Sequence, residues 1–437
     1  MAPLALLLAG ASGPTGLASS GSTFGLRSRS RGGANMTNIT SRFSLDQVDH
    51  HELLDILTLR YQTCWRVSDR EITFPAAHDY RLKLEMRHGQ IIKITSGDSL
   101  SSAELQNLLE QVDADLKDDR IAEYGVDILF AHHPVQGGFR FGSLPMQILP
   151  APPEAPRPPQ LLAEHPFVLE YPMRAWRTTG LRLRRRRKNA IEWAWVLNAL
   201  LRGSIKYSSS RPKHLWAIKS GDINSPCFWA QEFYIVPGYR GIATALSEPG
   251  PPLPVVPAAA YFSDTLSPSH AGVPLDTFSV PDNLDNLIGA FLRLNGERRR
   301  RFLRSAAAVY IADDLWDVSM SSYFLACVQA IETLVDRGPF QPCPTCGKDT
   351  GPGPTRLFQN FVEKYCLATD VDKKVLSELY RVRSALAHGR YLFQLDEAPW
   401  AFNLAASVAS FHEQDISRSA ITAAKEGLRN WLLSESP

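Results

Sequence analysis

The chain has 437 residues, of which 44% are hydrophobic and 21% are charged, and its formal net charge at pH 7 is +2. This length accommodates two or three domains, and the composition is ordinary for a globular protein. The charge excludes a uniformly basic coat for nucleic acid, although local basic patches remain compatible with it. No stretch approaches the ~20 apolar residues that cross a bilayer, so we expect no membrane segment.

The first 42 residues are expected to be disordered or to precede the true start of the protein. The short apolar run Leu4–Ala9 lacks the basic flank of a signal peptide. Residues 11–42 are rich in Gly, Ser and Arg, which is typical of disorder, and Met36 is an alternative start. Most of the six cysteines are scattered along the sequence, which is typical of free thiols in a reducing compartment. We therefore expect a cytoplasmic protein.

Residues 43–247 are expected to form an α+β region. Alternating apolar and polar residues over 80–95 predict a hairpin. Apolar residues at helical spacing predict a helix over 101–116, with Ser101 or Ser102 as its cap and Glu104 in its first turn. Residues 127–132 predict a short buried strand. The proline-rich break at 150–159 predicts a stiff linker or an extended loop.

Basic residues concentrate in two runs, Arg182–Lys188 and Arg298–Arg301. Trp193 and Trp195 follow the first run, and basic residues beside aromatic ones can follow phosphates and stack on bases. The stretch from Arg184 to Lys188 is therefore a candidate nucleic-acid surface. The alternative is that both runs are solvated helix faces and that the indoles belong to a core.

The proline-rich segment 248–282 is expected to be a linker, and residues 283–437 are expected to form a nearly all-helical domain. Ser319 and Asp415 are expected helix caps in that domain. The expected fold is thus a multidomain α+β chain, in which an α+β N-terminal region precedes a C-terminal all-α bundle. The candidate helices cover residues 283–294, 296–313, 319–336, 355–365, 372–388 and 415–433.

The helix expected over 372–388 has the clearest pattern in the chain. Its apolar residues lie within roughly 60° of one another on a helical wheel, whereas Ser384 and His388 lie on the opposite side. Gly389 is expected at the C′ position, which places His388 in the last turn. Arg383 lies about 140° from His388, so the two cannot meet along one straight helix face. The apolar stripe consists of Val375, Leu379, Val382 and Leu386.

The string from Leu379 to Gly389 resembles the Arg-x4–6-His motif of the HEPN superfamily, and it looks most like the Apea-like HEPN subgroup. The helix that carries Glu332 is similar to an acidic helix of that subgroup, and the resemblance covers residues 283–435. It implies a HEPN-like helical bundle with metal-independent ribonuclease activity and a composite site across a two-fold dimer. It also implies a role in toxin or antiviral defence, for which residues 43–247 would act as sensor or regulator.

The motif residues suit the cleavage of RNA through its 2′-hydroxyl group. His388 would act as the acid or base near neutral pH, and the planar guanidinium of Arg383 would bind the phosphate oxygens. Ser384 would bind the phosphate or orient the histidine. Glu332 lies in an apolar helix, where a carboxylate needs a partner such as Arg383, which it would then orient. In the alternative interpretation, His388 caps a helix and Arg383 forms a structural ion pair with Glu332 or Glu378.

Cys343 and Cys346 form half of a zinc knuckle. Tetrahedral zinc needs four ligands, and Cys366, His388 or His412 could supply others. This pattern suggests a structural zinc ion, and the alternative is a pair of free thiols in a loop. We expect catalysis itself to need no cofactor.

The leading hypothesis is a metal-independent RNA-cleaving homodimer whose catalytic residues are Arg383, His388, Ser384 and Glu332. Two alternatives remain open. The helical domain could be a non-catalytic HEPN module that dimerises or binds nucleotides, or the protein could be a zinc-stabilised scaffold with no role on RNA.

Overall fold

The computed structural model describes residues 50–76, 80–87, 90–97, 100–117, 121–152, 165–174, 179–207, 216–217, 228–229, 241–263, 277–316, 318–336, 351–366, 373–397 and 408–436. The chain is α+β, with its sheets toward the N-terminus and mostly helices after residue 283. Within the described ranges, every helix is too short or too polar to cross a bilayer.

The first unit is a four-stranded antiparallel sheet with two helices, and it has a core of its own. The predicted hairpin is confirmed, because Leu82 pairs with Ser96 and Arg87 with Gln90. The predicted cap is confirmed at Ser101, whose backbone N–H donates to Glu104 at 2.8 Å while its hydroxyl accepts from the Glu104 N–H at 3.3 Å. The elements are α1 (His50–Tyr61), β1 (Trp65–Ser68), β2 (Glu71–Pro75), β3 (Tyr80–Arg87), β4 (Gln90–Ser96) and α2 (Ser102–Lys117).

A second, antiparallel sheet follows in the strand order β12-β5-β8-β7-β6, with β9 beside β5. The strand predicted over 127–132 falls largely within β5, which is longer. Helix α3 packs against the residues of this sheet, although its basic first half has no apolar stripe that would predict a helix. The elements are β5 (Ile121–Ala131), β6 (Phe139–Arg140), β7 (Gln147–Pro150), β8 (His165–Arg174), α3 (Thr179–Leu200), β9 (Ile205–Tyr207), the separate pair β10 (Trp216–Ala217) and β11 (Phe228–Trp229), and β12 (Ile242–Ala243).

The segment 248–282 was expected to be a linker, but several of its described residues are packed against the rest of the protein. Gly138 donates its N–H to the Pro251 carbonyl at 2.7 Å and accepts from the Leu253 N–H at 2.9 Å. Leu253 and Phe278 are buried. The linker interpretation is therefore wrong for these residues. A proline has no backbone N–H to donate, but its carbonyl and the N–H groups of neighbouring residues can still pair with Gly138. The elements are β13 (Val255–Val256), α4 (Ala258–Ser263) and β14 (Val280–Pro281), with β13 parallel to β14.

The remaining elements are helices, and most begin and end near their predicted bounds. Ser319 caps its helix as predicted, because its hydroxyl accepts from the Ser322 N–H at 3.1 Å. The cap predicted at Asp415 is wrong, because the last helix begins at Val408 and Asp415 pairs with Arg418 on its exposed side. The helices are α5 (Leu284–Arg293), α6 (Gly296–Leu315), α7 (Met320–Leu334), α8 (Pro354–Tyr365), α9 (Lys373–Ala387), α10 (Gln394–Glu397) and α11 (Val408–Glu435).

A continuous core joins the second sheet to these helices. A row of aromatic rings runs through it, from Trp193 of α3 to Phe291 of α5 at 5.8 Å between centroids. Phe291 lies 5.3 Å from Phe302 of α6, and Phe302 stacks on Trp431 of α11 at 6.5 Å. The helices that follow residue 283 therefore share their packing with α3.

One carboxylate is buried between α3 and the second sheet. Asp127 accepts hydrogen bonds from the hydroxyls of Tyr171 at 2.6 Å and Tyr207 at 3.1 Å, and Arg186 lies 3.5 Å away. Burial raises the pKa of Asp127 to about 6, against the opposing effects of Arg186 and the two tyrosines. The usual pKa of an unfolded aspartate is about 3.9. The folded protein thus binds this proton more tightly than the unfolded chain does.

We expect the Asp127 contribution to stability to be present below pH ~4 and lost as the pH rises through about 6. The two pKa values correspond to a loss of about 2–3 kcal/mol in the free energy of unfolding. Urea unfolding of the wild type and of Asp127→Asn between pH 4 and pH 7 measures this loss, because the asparagine cannot titrate. A difference between the two proteins that stays constant over this range would contradict the assignment.

Candidate functional site

The C-terminal end of α9 has the geometry that its sequence predicts. Gly389 has a φ of 65°, and its N–H donates to the Leu386 carbonyl at 3.0 Å. The Arg390 N–H donates to the Ala385 carbonyl, also at 3.0 Å. These two bonds form a Schellman motif with Gly389 at C′, as predicted. His388 is consequently the C-cap residue, and its side chain is exposed.

The helix stripe is buried as predicted wherever its side chains are described. Leu379, Val382 and Leu386 are each at most 5% exposed, whereas the side chain of Val375 lies outside the described residues. This packing fixes the rotation of α9 and so turns His388 toward solvent.

The predicted partner of Glu332 is indeed Arg383. The Arg383 Nε lies 3.0 Å from the Glu332 Oε1, and its Nη2 donates to Oε2 at 3.0 Å. The pair joins α9 to α7, and the two side chains remain 31% and 28% exposed. Such a bidentate pair holds the guanidinium plane in one orientation. The remaining guanidinium edge is therefore presented in a fixed direction.

One subunit does not place Arg383 and His388 on one face of α9. Arg383 is directed at α7, whereas His388 lies at the exposed helix end. Ser384 is half-buried, and its carbonyl accepts the His388 N–H at 3.2 Å. On the side of Ser384, the Tyr380 ring packs against Phe358 of α8 at 5.3 Å between centroids. Part of the helix face that carries Ser384 is thus covered within the chain.

Three residues that were not assigned to the catalytic site form a cluster between α9 and α11. One oxygen of Glu378 accepts from Arg381 at 2.7 Å and lies 3.3 Å from His412 Nε2. Partial burial raises the pKa of Glu378, but the hydrogen bonds and charges of its two partners outweigh burial and lower it overall. Arg381 could have been found from the sequence, because it precedes His388 by two helical turns. His412 comes from α11, and no local pattern connects it to α9.

The basic run Arg182–Lys188 makes ion pairs within the chain. Arg182 pairs with Glu123, with its Nε 3.0 Å from the carboxylate, and Arg186 pairs with Asp127. Trp193 is buried, as the core interpretation of the indoles expects. The side chain of Arg184 lies outside the described residues. Glu52 also pairs with Arg185 at 2.7 Å and with Lys188 at 3.6 Å.

The second run, Arg298–Arg301, is also engaged within the protein. Arg301 donates to the Leu334 carbonyl at 2.7 Å and so caps the C-terminus of α7. Arg299 lies over the Phe291 ring at 4.5 Å, which is a cation–π contact. The other two arginines pair with carboxylates: Arg298 with Glu435 at 3.0 Å and Arg300 with Glu297 at 3.5 Å.

The proposed zinc ligands Cys343 and Cys346 lie outside the described residues. Cys366, considered as a third ligand, is buried, and its thiol donates to the Ala423 carbonyl at 3.3 Å. Burial also raises the pKa of this thiol, which disfavours the thiolate that a metal binds. Cys366 is therefore a core residue. Elsewhere in the described chain, no group of three or more His, Cys, Asp or Glu side chains could hold a metal ion.

A scan against protein-family models, a search of curated proteins and a search of solved structures each found no match to this chain. The resemblance to HEPN proteins therefore rests on Arg383, His388 and Glu332 themselves. What these residues can do chemically follows from the geometry described above.

Proposed function

We propose that the C-terminal helices cleave RNA without a metal ion and that His388 transfers the proton. The observation that carries this proposal is the exposed imidazole at the C-cap of α9, held by the Schellman motif. Arg383 precedes His388 on the same helix. Its partly exposed guanidinium is fixed in a single orientation by Glu332. An imidazole and an oriented arginine are the groups that a reaction on a phosphodiester needs at neutral pH.

In the proposed reaction, the 2′-oxygen attacks the adjacent phosphorus and the bond from phosphorus to the 5′-oxygen breaks. A base removes the proton of the 2′-hydroxyl, and an acid donates a proton to the departing 5′-oxygen. The products are a 2′,3′-cyclic phosphate and a free 5′-hydroxyl. His388 supplies one of these proton transfers, and Arg383 stabilises the negative charge that develops on the phosphate oxygens.

The divergence of Arg383 and His388 on α9 supports a site shared by two subunits. In a two-fold dimer, the guanidinium of one subunit can face the imidazole of the other, because symmetry repeats both groups across the interface. Glu332 would then act as the residue that positions Arg383, and Ser384 would lie beside the phosphate. The proposal includes a role in toxin or antiviral defence, in which the N-terminal sheets act as sensor or regulator.

The test is an RNA cleavage assay with the full-length protein. We expect single-stranded RNA to be cleaved in EDTA, because the proposed proton-transfer and phosphate-binding groups are side chains. The same sequence with 2′-deoxyribose at every position should remain intact, because it lacks the nucleophile. Cleavage of the deoxy strand, or complete loss of RNA cleavage in EDTA, would overturn the proposed chemistry.

A second function is favoured by the ion pair of Arg383, whose Nε and Nη2 already bind Glu332. The pair could be purely structural, and the domain would then be a non-catalytic module that dimerises or binds nucleotides. The two functions differ in the same assay. A nucleotide-binding module would retain RNA in a filter-binding experiment, a dimerising one would not, and both would leave every strand uncut.

A further inference from the structure

Helix α9 carries a second arginine that lies on the same side as His388. Arg381 and His388 are seven residues apart, which places them about 20° apart around the helix and about 10 Å apart along it. Arg383, by contrast, lies about 140° from His388 and is bound to Glu332. Arg381 is 69% exposed, so its guanidinium is open to solvent on the helix side that carries the proposed catalytic histidine.

Glu378 pairs with this arginine and also contacts His412. Its carboxylate contacts Arg381 at 2.7 Å and His412 at 3.3 Å, and it is itself only 27% exposed. His412 belongs to α11, so the carboxylate connects the two helices. A guanidinium that is oriented by a carboxylate on one edge still has donors on its other edge. Arg381 is thus prepared to bind a second anion.

Two exposed aromatic side chains lie close to this cluster in the sequence. Tyr391 follows the end of α9 and is 37% exposed, and Phe411 directly precedes His412 and is 54% exposed. The segment after α9 is tied to α11, because the Gln394 N–H donates to Glu413 at 2.8 Å. Partial burial raises the pKa of the Tyr391 hydroxyl, while the charge of Arg381 lowers it and the charge of Glu413 raises it. The arginine and the tyrosine therefore belong to one surface.

We propose that this surface, formed by Arg381, Glu378, His412, Tyr391 and Phe411, binds single-stranded RNA next to the bond that His388 cleaves. Arg381 contacts a backbone phosphate, and the two aromatic rings stack on unpaired bases. Glu378 and His412 are positioning residues that hold the arginine. Stacking requires bases that are free of a duplex, and this requirement selects the single strand. The proposal rests on the proposed function for its choice of RNA.

Binding is best measured with the His388→Ala protein, which keeps the RNA intact, by fluorescence anisotropy of a labelled single strand at several salt concentrations. Adding Arg381→Ala should weaken binding about 10- to 100-fold and reduce the slope of log K against log[salt] by about 0.7, the share of one phosphate. Arg66→Ala is the matched control. It removes an arginine that is 70% exposed and pairs with Asp69 three residues away at 2.8 Å.

The aromatic residues have a different signature. Tyr391→Ala should weaken binding about 5- to 100-fold and leave the salt slope unchanged, because stacking releases no counterions. Trp65→Ala, which removes a ring that is 64% exposed, should leave binding as it was.

Equal affinity and slope for the Arg381→Ala and Arg66→Ala proteins would overturn the inference, and so would equal affinity for single strand and duplex. Failure of the proposed function looks different, because the wild type would then bind the single strand through Arg381 and leave it uncut.

Discussion

Replacing His388 with alanine is expected to lower the rate of RNA cleavage by about 10²–10⁴, because the site would lose its proton-transfer group. The folded state should be nearly unaffected, since the side chain is exposed and has no hydrogen-bond partner among the residues that the structure describes. Initial rates on a single-stranded RNA, together with thermal unfolding of the same preparations, separate the two effects.

The matched control is His132→Ala, which removes an exposed histidine from the end of the second sheet. Wild-type cleavage by the His388→Ala protein would eliminate the proposed site. Mixing His388→Ala with Arg383→Ala protein adds a test of the shared site, because a mixed dimer contains one half-site with both groups intact. Recovery of activity in the mixture, together with a dimer in equilibrium sedimentation, is the expected result.

Replacing Phe291 with alanine is expected to lower the free energy of unfolding by about 3–5 kcal/mol, the usual cost of removing a buried aromatic ring. Phe291 is 1% exposed and lies between Trp193 and Phe302, and Arg299 covers its ring. The substitution therefore leaves a cavity at the junction of α3, α5 and α6. Urea denaturation followed by tryptophan fluorescence measures the loss.

The location of Phe291 gives this substitution a second expected result. Because the second sheet and the helices share one core, they should unfold together within each protein. The variant should therefore show a single transition, as the wild type does, but at a lower urea concentration. Trp65→Ala is the control and should change the free energy of unfolding by less than about 0.5 kcal/mol, as exposed substitutions usually do. Helices that melt separately from the second sheet would contradict a shared core.

The sequence by itself was sufficient for features that depend on neighbouring residues. The cap at Ser101, the Schellman end of α9 and the buried stripe of that helix all follow from side chains within one or two turns of each other. Even the Arg383–Glu332 pair could be expected, because a carboxylate in an apolar helix needs a cation and the motif supplies one.

The same local reasoning failed where a partner lies far along the chain. The basic first half of α3 has no apolar stripe, and it is stabilised instead by Glu52, Glu123 and Asp127 from other elements. The described parts of segment 248–282 are packed because they pair with a glycine more than 100 residues earlier.

The sequence alone therefore determined the helices near the candidate site, the exposure of His388 and the ionic partner of Arg383. Only the tertiary structure decided that Cys366 faces the core, that Tyr380 is covered by α8 and that His412 meets Arg381 through Glu378. The physical reason is that helix periodicity and capping act over a few residues. Ion pairs and burial, in contrast, depend on which distant surfaces meet when the chain folds.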